Sequence, residues 1–463
     1  MKNLWFLTEE RPKKEVLIRI FERFTKDYGF GAFVDTVRIL PILNKSGDFT
    51  FTYEVTGLRC NKVEKFYIKT ISGKSSFTDY LIFYQKSEPT ADDKPMYAIE
   101  ETKTDDSESR NTGVYQRCSK FLFIDSYFPN VKKIMLYNLQ VEQKTTPTAT
   151  NVFGTRMLLT LGVDIMGKKL DTNIFKPFQN IDELISLKEA MRKAPKGNVP
   201  ITVTKYDDRI EISGRLYKSG RLSHDPNIGA LTVISAVLRH LGWNKKIVIT
   251  HHGLTSQRQV GKTNKFIQLA NKLNISLHNL EIPESSGNSI YWDYDSNGEK
   301  LGTIFIHIAI ENFTSGYSIF ENHAGCEKGY FITTKGTYIP LAKYMNREKY
   351  KAGDKSQIIS IPDLIIIDFD RKEAINIEGK KYKNRSIGIE TLKTYDYIEQ
   401  NYILKHYPEF DIVRTVVLFG SDNEILIEIE IGFLLNQNGK LVLGIKAPSI
   451  FVDAINNLLD FWK

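Results

Sequence analysis

The segment IPDLIIIDFDRKEAINIEGKK, residues 361–381, restricts the fold of this chain more than any other part of the sequence. Two apolar runs flank the polar stretch DRKE, a pattern that predicts adjacent strands joined by a tight turn. Pairing about this turn places Asp363 opposite Lys380, with Glu378 one position further into the hairpin. Side chains two residues apart share a face of a strand, about 6.5–7 Å from each other, so Glu378 and Lys380 project together. We therefore expect two carboxylates and one ammonium group to meet at the open end of this hairpin.

These groups suit the hydrolysis of a phosphodiester. The carboxylates of Asp363 and Glu378 are hard oxygen ligands that can hold Mg²⁺, which keeps several waters and contacts substrate phosphate. The carbonyl oxygen of Gly379 is a further candidate ligand. The ion can lower the pKa of a bound water and neutralise charge that grows on the phosphoryl oxygens. Lys380 can orient or deprotonate the attacking water and can stabilise the transition state electrostatically.

A similar arrangement occurs earlier in the chain, in TDYLIFYQKSEPTADDKPMYAIEETK, residues 78–103. Hairpin pairing about its polar loop places Asp79 opposite Lys103. Glu101 then shares a face with Lys103, and Glu100 points to the other face. The sequence therefore predicts a second cluster formed by Asp79, Glu101 and Lys103.

Both segments resemble the motif of the PD-(D/E)xK nucleases, which include many restriction endonucleases and some resolvases. In the C-terminal copy, Pro362-Asp363 is followed after fourteen residues by Glu378-Gly379-Lys380. The N-terminal copy has Asp79 and Glu101-Thr102-Lys103 but departs from the pattern, because Thr78 stands where the motif has proline.

The resemblance implies a metal-dependent, sequence-specific endonuclease of duplex DNA, similar to type II restriction enzymes. It implies Mg²⁺ as the cofactor, with Mn²⁺ as a substitute, and it extends over about residues 10–145 and 335–425. The metal ligands would be Asp363, Glu378, Asp79 and Glu101, and the catalytic residues would be these four together with Lys380 and Lys103. The family sometimes adds a metal-site acid on a preceding helix, where this chain offers Glu15 and Glu22.

Composition limits the class of protein. Hydrophobic residues make up 41% and charged residues 25% of the chain, as in globular proteins, and no apolar run reaches membrane-spanning length, so we expect no membrane partner. Cys60, Cys118 and Cys326 are too widely spaced to form a disulfide framework, which favours a cytoplasmic location. Alternating helical and strand patterns predict an α/β (α+β) fold with mixed central sheets flanked by helices.

The length of 463 residues favours about three domains. We predict two nuclease-like domains at residues 1–150 and 326–463, on either side of a central α/β domain at 151–325. The central domain has no motif of its own, so a role in DNA recognition is assigned to it by elimination. Two active sites in one chain could each cut one strand of a duplex, in a monomer or a homodimer.

The net charge of +8 permits phosphate binding without requiring it. The basic, turn-rich segment that precedes the helix at Pro226 could enter a DNA groove, and shorter basic segments follow the two candidate sites. The predicted DNA contacts are Arg215, Lys218, Arg221, Arg110 and Arg385.

Several secondary-structure predictions bear on the sites. We expect strands at Gln357–Phe369, Ala374–Lys380, Asp79–Tyr84 and Met96–Lys103, helices at Lys13–Tyr28, Thr112–Tyr127 and Thr337–Tyr350, and a hairpin of Ser289–Tyr294 with Gly302–Ile310.

Three alternatives remain open at this stage. One site could be active and the other degenerate. The chain could instead be a structure-specific nuclease of repair or recombination. It could also bind DNA without catalysis, on a degenerate nuclease scaffold.

Overall fold

The computed structural model describes residues 1–43, 49–73, 78–102, 113–137, 147, 149–167, 170–191, 201–215, 217–218, 221–222, 226–252, 260, 264–285, 290–322, 330–419, 426–428, 433–436, 441–443 and 448–462. Helices and strands alternate along the chain, and the sheets are mixed, which confirms the predicted α/β (α+β) class.

The helices are α1 (Lys14–Tyr28), α2 (Gly113–Tyr127), α3 (Ala149–Thr160), α4 (Ile181–Ala190), α5 (Pro226–His240), α6 (Asn264–Leu273), α7 (Gly298–Phe313), α8 (Arg347–Lys351), α9 (Arg385–Leu392), α10 (Asp396–Ile398), α11 (Leu404–His406) and α12 (Ser449–Trp462). Short 3₁₀ turns lie at Lys355–Gln357 and Tyr382–Asn384, and a π-helical turn lies at Glu399–Ile403.

The strands are β1 (Lys2–Thr8), β2 (Ala32–Leu43), β3 (Phe49–Cys60), β4 (Val63–Gly73), β5 (Tyr80–Gln85), β6 (Tyr97–Thr102), β7 (Lys132–Tyr137), β8 (Asp164–Met166), β9 (Thr202–Lys205), β10 (Arg209–Arg215), β11 (Tyr217–Lys218), β12 (Arg221–Leu222), β13 (Lys246–His252), β14 (Ile275–Leu277), β15 (Trp292–Tyr294), β16 (Tyr317–Glu321), β17 (Tyr330–Ile332), β18 (Tyr338–Pro340), β19 (Leu364–Asp368), β20 (Glu373–Lys381), β21 (Asp411–Phe419), β22 (Leu426–Glu428), β23 (Phe433–Asn436) and β24 (Leu441–Leu443).

The chain divides into two compact units, each assembled from separate stretches of sequence. The first unit comprises residues 1–72, 84–88 and 294–463, and the second comprises 73–83 and 89–293. This division differs from the contiguous three-domain organisation expected from the sequence, which stays a prediction. Sequence patterns indicate where an element begins and ends, but they do not report which distant stretches pack together.

The first unit contains the sheet that carries the C-terminal motif. Its strand order is β16-β19-β20-β21, with antiparallel pairing throughout except between β20 and β21, which are parallel. Helices α7 and α9 both pack against β20 and β21. A separate run of strands in this unit has the order β2-β3-β4-β1.

The second unit contains the strands that carry the N-terminal motif. Strands β5-β6-β7-β8 are neighbours in that order, antiparallel between β5 and β6 and parallel thereafter. A second sheet has the order β14-β13-β10-β9. One buried core joins side chains of α2 and β7, such as Phe121 and Met135, to side chains of α5 and β13, such as Leu231 and Ile249. Residues assigned by sequence to the N-terminal and central domains thus share one hydrophobic core.

The predicted hairpin of Ser289–Tyr294 with Gly302–Ile310 is wrong, because Gly298–Phe313 forms helix α7. The run GTIFIHIAI is rich in β-branched residues and resembles a buried strand, but it is buried on all sides as a helix. Asn297 caps the helix by accepting a hydrogen bond from the backbone N–H of Glu299 at 3.1 Å.

The predicted helix at Thr337–Tyr350 is also wrong. Strand β18 occupies Tyr338–Pro340, and only Arg347–Lys351 is helical. Pro340 has no backbone N–H and would interrupt a helix at this position.

Other elements lie close to their predicted bounds. Helix α1 begins at Lys14 and ends before Gly29, which adopts the left-handed conformation with φ of 64° that a helix C-terminus favours. Helix α2 spans Gly113–Tyr127 against a prediction of Thr112–Tyr127. Among the helices that the structure describes, none is long and apolar enough to cross a bilayer.

Candidate active site

The register of β19 and β20 determines which side chains meet at the end of the hairpin. Leu364 pairs with Ile377, so Asp363 comes opposite Glu378 and not opposite Lys380. The expected pairing is therefore wrong by two residues. The turn begins earlier than expected because the carboxylate of Asp368 accepts hydrogen bonds from the backbone N–H groups at positions 370 and 371. An even displacement leaves every side chain on its expected face, so the cluster of three residues is still formed.

Glu378 lies at the centre of this cluster and is 6% exposed. One of its carboxylate oxygens forms an ion pair with the ammonium group of Lys380, two residues along β20. Its other oxygen accepts a hydrogen bond from the hydroxyl of Tyr395, which is fully buried. Glu378 is thus held in one orientation by a cation on one side and a neutral donor on the other.

Asp363 lies beside Glu378 at the start of β19. Its carboxylate accepts a hydrogen bond from the backbone N–H of Gly379 at 2.9 Å. Burial and the negative charge of Glu378 raise the pKa of Asp363 to about 6, although the Gly379 N–H and Lys380 oppose this shift. Two carboxylates that lie close together and are partly buried repel each other, which favours the binding of a proton or a cation.

Lys380 and Tyr395 both keep their protons. Burial by itself would lower the pKa of Lys380, but the hydrogen bond and charge of Glu378 outweigh it, and the pKa is raised. Burial and the charge of Glu378 raise the pKa of Tyr395 as well. Lys380 is therefore a cation in this site and is not poised to accept a proton from water.

Two glycines allow helices to approach the site closely. A Cβ atom at Gly379 would overlap the hydroxyl of Thr303 on α7. A Cβ atom at Gly388, on α9, would lie 2.9 Å from Cγ of Lys380. Since neighbouring residues of a strand point to opposite faces, α7 covers the Gly379 face of β20, and α9 covers the face that carries Glu378 and Lys380.

Glu299 is a site residue that the sequence analysis missed. It lies in the first turn of α7, and its carboxylate accepts a hydrogen bond from the backbone N–H of Lys381 at 2.9 Å. Its negative charge contributes to the raised pKa values of Asp363 and Lys380. The signal was present in the sequence as Asn297 followed by an acidic residue, a helix start that the predicted hairpin obscured.

A buried polar network supports the same face of β20. Asn376 donates a hydrogen bond to Glu399 at 2.6 Å, and Nε of Arg414 on β21 donates to the same carboxylate at 2.8 Å. Glu399 opens the π-helical turn and lies four residues beyond Tyr395, whose carbonyl accepts a hydrogen bond from the Glu399 N–H at 3.0 Å. The network therefore attaches the segment that carries Tyr395 to the sheet that carries Glu378.

The N-terminal motif is arranged differently from the prediction. Tyr80 pairs with Ile99, which brings Asp79 opposite Glu100 and not opposite Lys103, a displacement of three residues. An odd displacement exchanges the two faces of a strand. Glu100, predicted to point away, is the acid that is 3% exposed and forms an ion pair at 2.8 Å with Lys120 of α2. Glu101 instead donates its backbone N–H to the carboxylate of Asp79 at 2.7 Å.

Other predicted residues divide into two groups. Lys103 and Arg110 lie outside the described residues. Arg215, Lys218 and Arg221 belong to β10, β11 and β12, of which only the backbone is described at these positions, and Lys218 pairs with Arg221.

Three further predicted residues are exposed at the surface of the first unit. Arg385 begins α9, and its guanidinium lies 4.7 Å from the ring centroid of Tyr382. Glu15 and Glu22 are exposed on α1.

The donor chemistry at Asp363 and Glu378 fits a divalent cation that prefers oxygen ligands. In the described part of the chain, no group of three or more histidine, cysteine or acidic side chains is arranged to hold a metal ion by itself. Mg²⁺ often takes only one or two carboxylates and completes its shell with water and substrate phosphate. A divalent cation would also offset the repulsion that raises the pKa of Asp363.

No protein-family model, curated protein or solved structure matches this chain.

Proposed function

We propose that this chain is a metal-dependent endonuclease that hydrolyses phosphodiester bonds of duplex DNA. The observation that carries the proposal is the convergence of Asp363, Glu378 and Lys380 at the end of two neighbouring strands. The choice of substrate depends on the resemblance of this motif to PD-(D/E)xK nucleases and on the positive net charge of the chain.

Each residue of the cluster has a separate role in this proposal. Asp363 and Glu378 would hold Mg²⁺ or Mn²⁺, which when bound supplies positive charge next to the phosphate and a more acidic water. Lys380, fixed as a cation by Glu378, orients the attacking water and stabilises negative charge on the phosphoryl oxygens. Tyr395 donates to Glu378, and Glu299 accepts the backbone N–H of Lys381, next to Lys380; both are positioning residues.

The hydrolysis consumes one water molecule. The water oxygen forms a bond to phosphorus while the bond from phosphorus to one ester oxygen breaks. One proton of the water passes to solvent, and the departing ester oxygen takes up a proton. Because Lys380 keeps its proton, we assign it no role as the base.

A plasmid assay tests this proposal. The purified full chain is incubated with supercoiled plasmid in Mg²⁺, in Mn²⁺ or in EDTA, and relaxed and linear products are separated by electrophoresis. We expect cutting with either metal and none in EDTA. Glu378→Gln should lower the rate at least about 100-fold, because it removes a charged ligand of the cation that would stabilise the charge developing on the phosphate.

A matched control keeps the comparison specific. Glu390 is an exposed acid on α9 that pairs with Lys393, so Glu390→Gln changes the same charge without touching the cluster. It should cut at the wild-type rate. Metal-independent cutting, or full activity of Glu378→Gln, would contradict the proposal.

Substrate preference separates the proposal from its nearest alternative. Linear duplex, branched duplex and single strands of one sequence are compared, and product ends are mapped. Fixed ends in linear duplex support a sequence-specific endonuclease. Cutting confined to branch points would instead favour a structure-specific nuclease of repair or recombination.

A further inference from the structure

We infer that the second unit holds another metal-dependent phosphodiesterase site, formed by Asp79, Glu100 and Lys120, with the lysine supplied by helix α2. This inference rests on the proposed function of the first site. It replaces Glu101 and Lys103 of the sequence motif with residues that the fold brings together.

The two clusters share the same backbone frame. Each begins with an aspartate one residue before an antiparallel strand, opposite a glutamate on the next strand. In the first site the Asp363 carboxylate accepts the N–H of the residue after Glu378, at 2.9 Å. In the second, the Asp79 carboxylate accepts the N–H of the residue after Glu100, at 2.7 Å. In both sheets the next strand, β21 or β7, then runs parallel to the one that carries the glutamate.

The lysine reaches the second cluster from a different element. Position 102, which corresponds to Lys380 in this frame, is a threonine that is 1% exposed. Lys120, on α2 between β6 and β7, places its ammonium nitrogen 2.8 Å from Glu100 and 3.7 Å from Asp79. The second cluster thus has the same charges as the first, two carboxylates and one ammonium group, although its lysine does not lie on the strand.

The surroundings of the second cluster are also similar. Tyr291 is buried, and its hydroxyl accepts the backbone N–H of Thr78 at 3.1 Å. Burial raises the pKa of Tyr291, with a smaller contribution from Glu100 that Lys120 opposes, so its phenol stays neutral. It corresponds in environment to Tyr395, although it does not donate to the glutamate in the way that Tyr395 does.

The position of Gly379 is occupied by Glu101, whose side chain points to the opposite face of β6 from Glu100. In the first site this position must be glycine because α7 packs against it. The second site tolerates a side chain of intermediate exposure there. Glu101 therefore matches the linear motif without lying on the catalytic face.

The reaction would be the same hydrolysis as in the first site. The oxygen of one water bonds to phosphorus, one ester oxygen departs and takes up a proton, and the remaining proton enters solvent. Asp79 and Glu100 would hold the divalent cation, and Lys120 would stabilise the phosphoryl charge.

A strand-resolved assay and a metal count test this inference together. A duplex containing the mapped cleavage site carries a different fluorophore on each strand, and Mn²⁺ binding by the metal-free full chain is measured by calorimetry. The variants are Glu100→Gln, Lys120→Met, their double variant and Asp79→Asn, with Glu101→Gln as the matched control. The double variant removes both partners of the Glu100–Lys120 ion pair, so neither is left buried without the other, as each would be in a single variant. Thermal melting verifies the fold of each.

We expect Glu100→Gln and the double variant to lose cutting of one strand at least about 100-fold while the other strand is cut at the wild-type rate. Mn²⁺ stoichiometry should fall from two ions per chain to one, and Glu101→Gln should change neither readout. The inference would be overturned if Glu101→Gln lost strand cutting or Mn²⁺ binding. It would also be overturned if the double variant still bound two Mn²⁺ ions and cut both strands. If the wild-type chain cuts neither strand, the proposed function fails, and the Mn²⁺ count alone then decides whether Asp79 and Glu100 form a metal site.

Discussion

The carboxylate of Asp363 accepts the backbone N–H of Gly379 at 2.9 Å, a bond that joins the start of one strand to the end of its neighbour. It fixes Asp363 beside Glu378, which directly precedes Gly379 in the chain. The geometry of the first site is therefore set by the sheet itself and does not depend on a loop. Rigid strands are suitable supports for ligands that must hold a cation in one geometry.

Asp363→Asn should stabilise the metal-free chain at alkaline pH. A carboxyl whose pKa is raised on folding contributes stability below its unfolded value of 3.8, and this contribution is lost as pH rises through about 6. The amide keeps an acceptor for the Gly379 N–H but carries no charge next to Glu378. In EDTA the free energy of unfolding should rise by about 3 kcal/mol at pH 8 and by only about 1 kcal/mol at pH 4.5.

Urea denaturation at the two pH values checks this. Asp354→Asn serves as a control of opposite sign, because hydrogen bonds from Ser356 and Gln357 lower the pKa of Asp354. Equal effects of Asp363→Asn on the free energy of unfolding at both pH values would show that folding does not raise the pKa of Asp363.

Tyr395→Phe should weaken metal binding at the first site without abolishing it. The variant removes the donor to one oxygen of Glu378 and leaves that buried oxygen unpaired, which costs about 1–3 kcal/mol and so about tenfold or more in metal affinity or rate. We expect Kd for Mn²⁺ to rise and kcat to fall at saturating metal, with KM for DNA unchanged. Tyr397→Phe, two residues away, should have the same Kd for Mn²⁺, kcat and KM for DNA as the wild type. An unchanged Kd and kcat in Tyr395→Phe would remove Tyr395 from the site.

Gly379→Ala should damage the packing between β20 and α7. The added methyl group would overlap the Thr303 hydroxyl, and overpacking of this kind costs about 1–3 kcal/mol. Gly31→Ala is the matched control, because the nearest atom to its added Cβ would be 3.9 Å away. Chemical denaturation of both variants measures the difference. A wild-type stability for Gly379→Ala would mean that α7 is not held against the strand as described.

Arg414→Met should destabilise the first unit by leaving Glu399 buried beside Asn376 without its cation. We expect a loss of about 2–3 kcal/mol, less than for a fully buried pair because Arg414 is partly exposed. The double variant with Glu399→Gln should recover part of this loss, since no buried charge is then left unpaired. Denaturation of the single and double variants gives the coupling energy. Additive effects would mean that the two residues do not act as a pair.

Much of the first site could be predicted from sequence. Alternation along a strand placed Glu378 and Lys380 on one face whatever the exact register, so a pairing error of two residues did no harm. In the second hairpin an error of three residues in the register placed Glu101, instead of Glu100, on the same face as Asp79. A turn can be located from polar residues, but its exact length depends on side-chain contacts such as those of Asp368, which sequence patterns do not reveal.

Most of the remaining site residues could not be predicted because they come from elements outside the two hairpins, and only Glu299 had a local signal, the helix start at Asn297. Glu299 was assigned to a turn when α7 was expected to be a strand, and Lys120 lies outside the linear motif altogether. Tyr395 and Glu399 acquire their roles only through packing against β20. Tertiary contacts of this kind leave no short-range pattern in the chain.

The central claim is that Asp363 and Glu378 together hold a divalent cation. Calorimetric titration of Mn²⁺ into the metal-free full chain, compared with the Asp363→Asn/Glu378→Gln double variant and with Glu390→Gln, tests it most directly. We predict that the double variant loses one bound Mn²⁺ per chain and that Glu390→Gln loses none. Identical Mn²⁺ binding by the wild type and the double variant would contradict the claim.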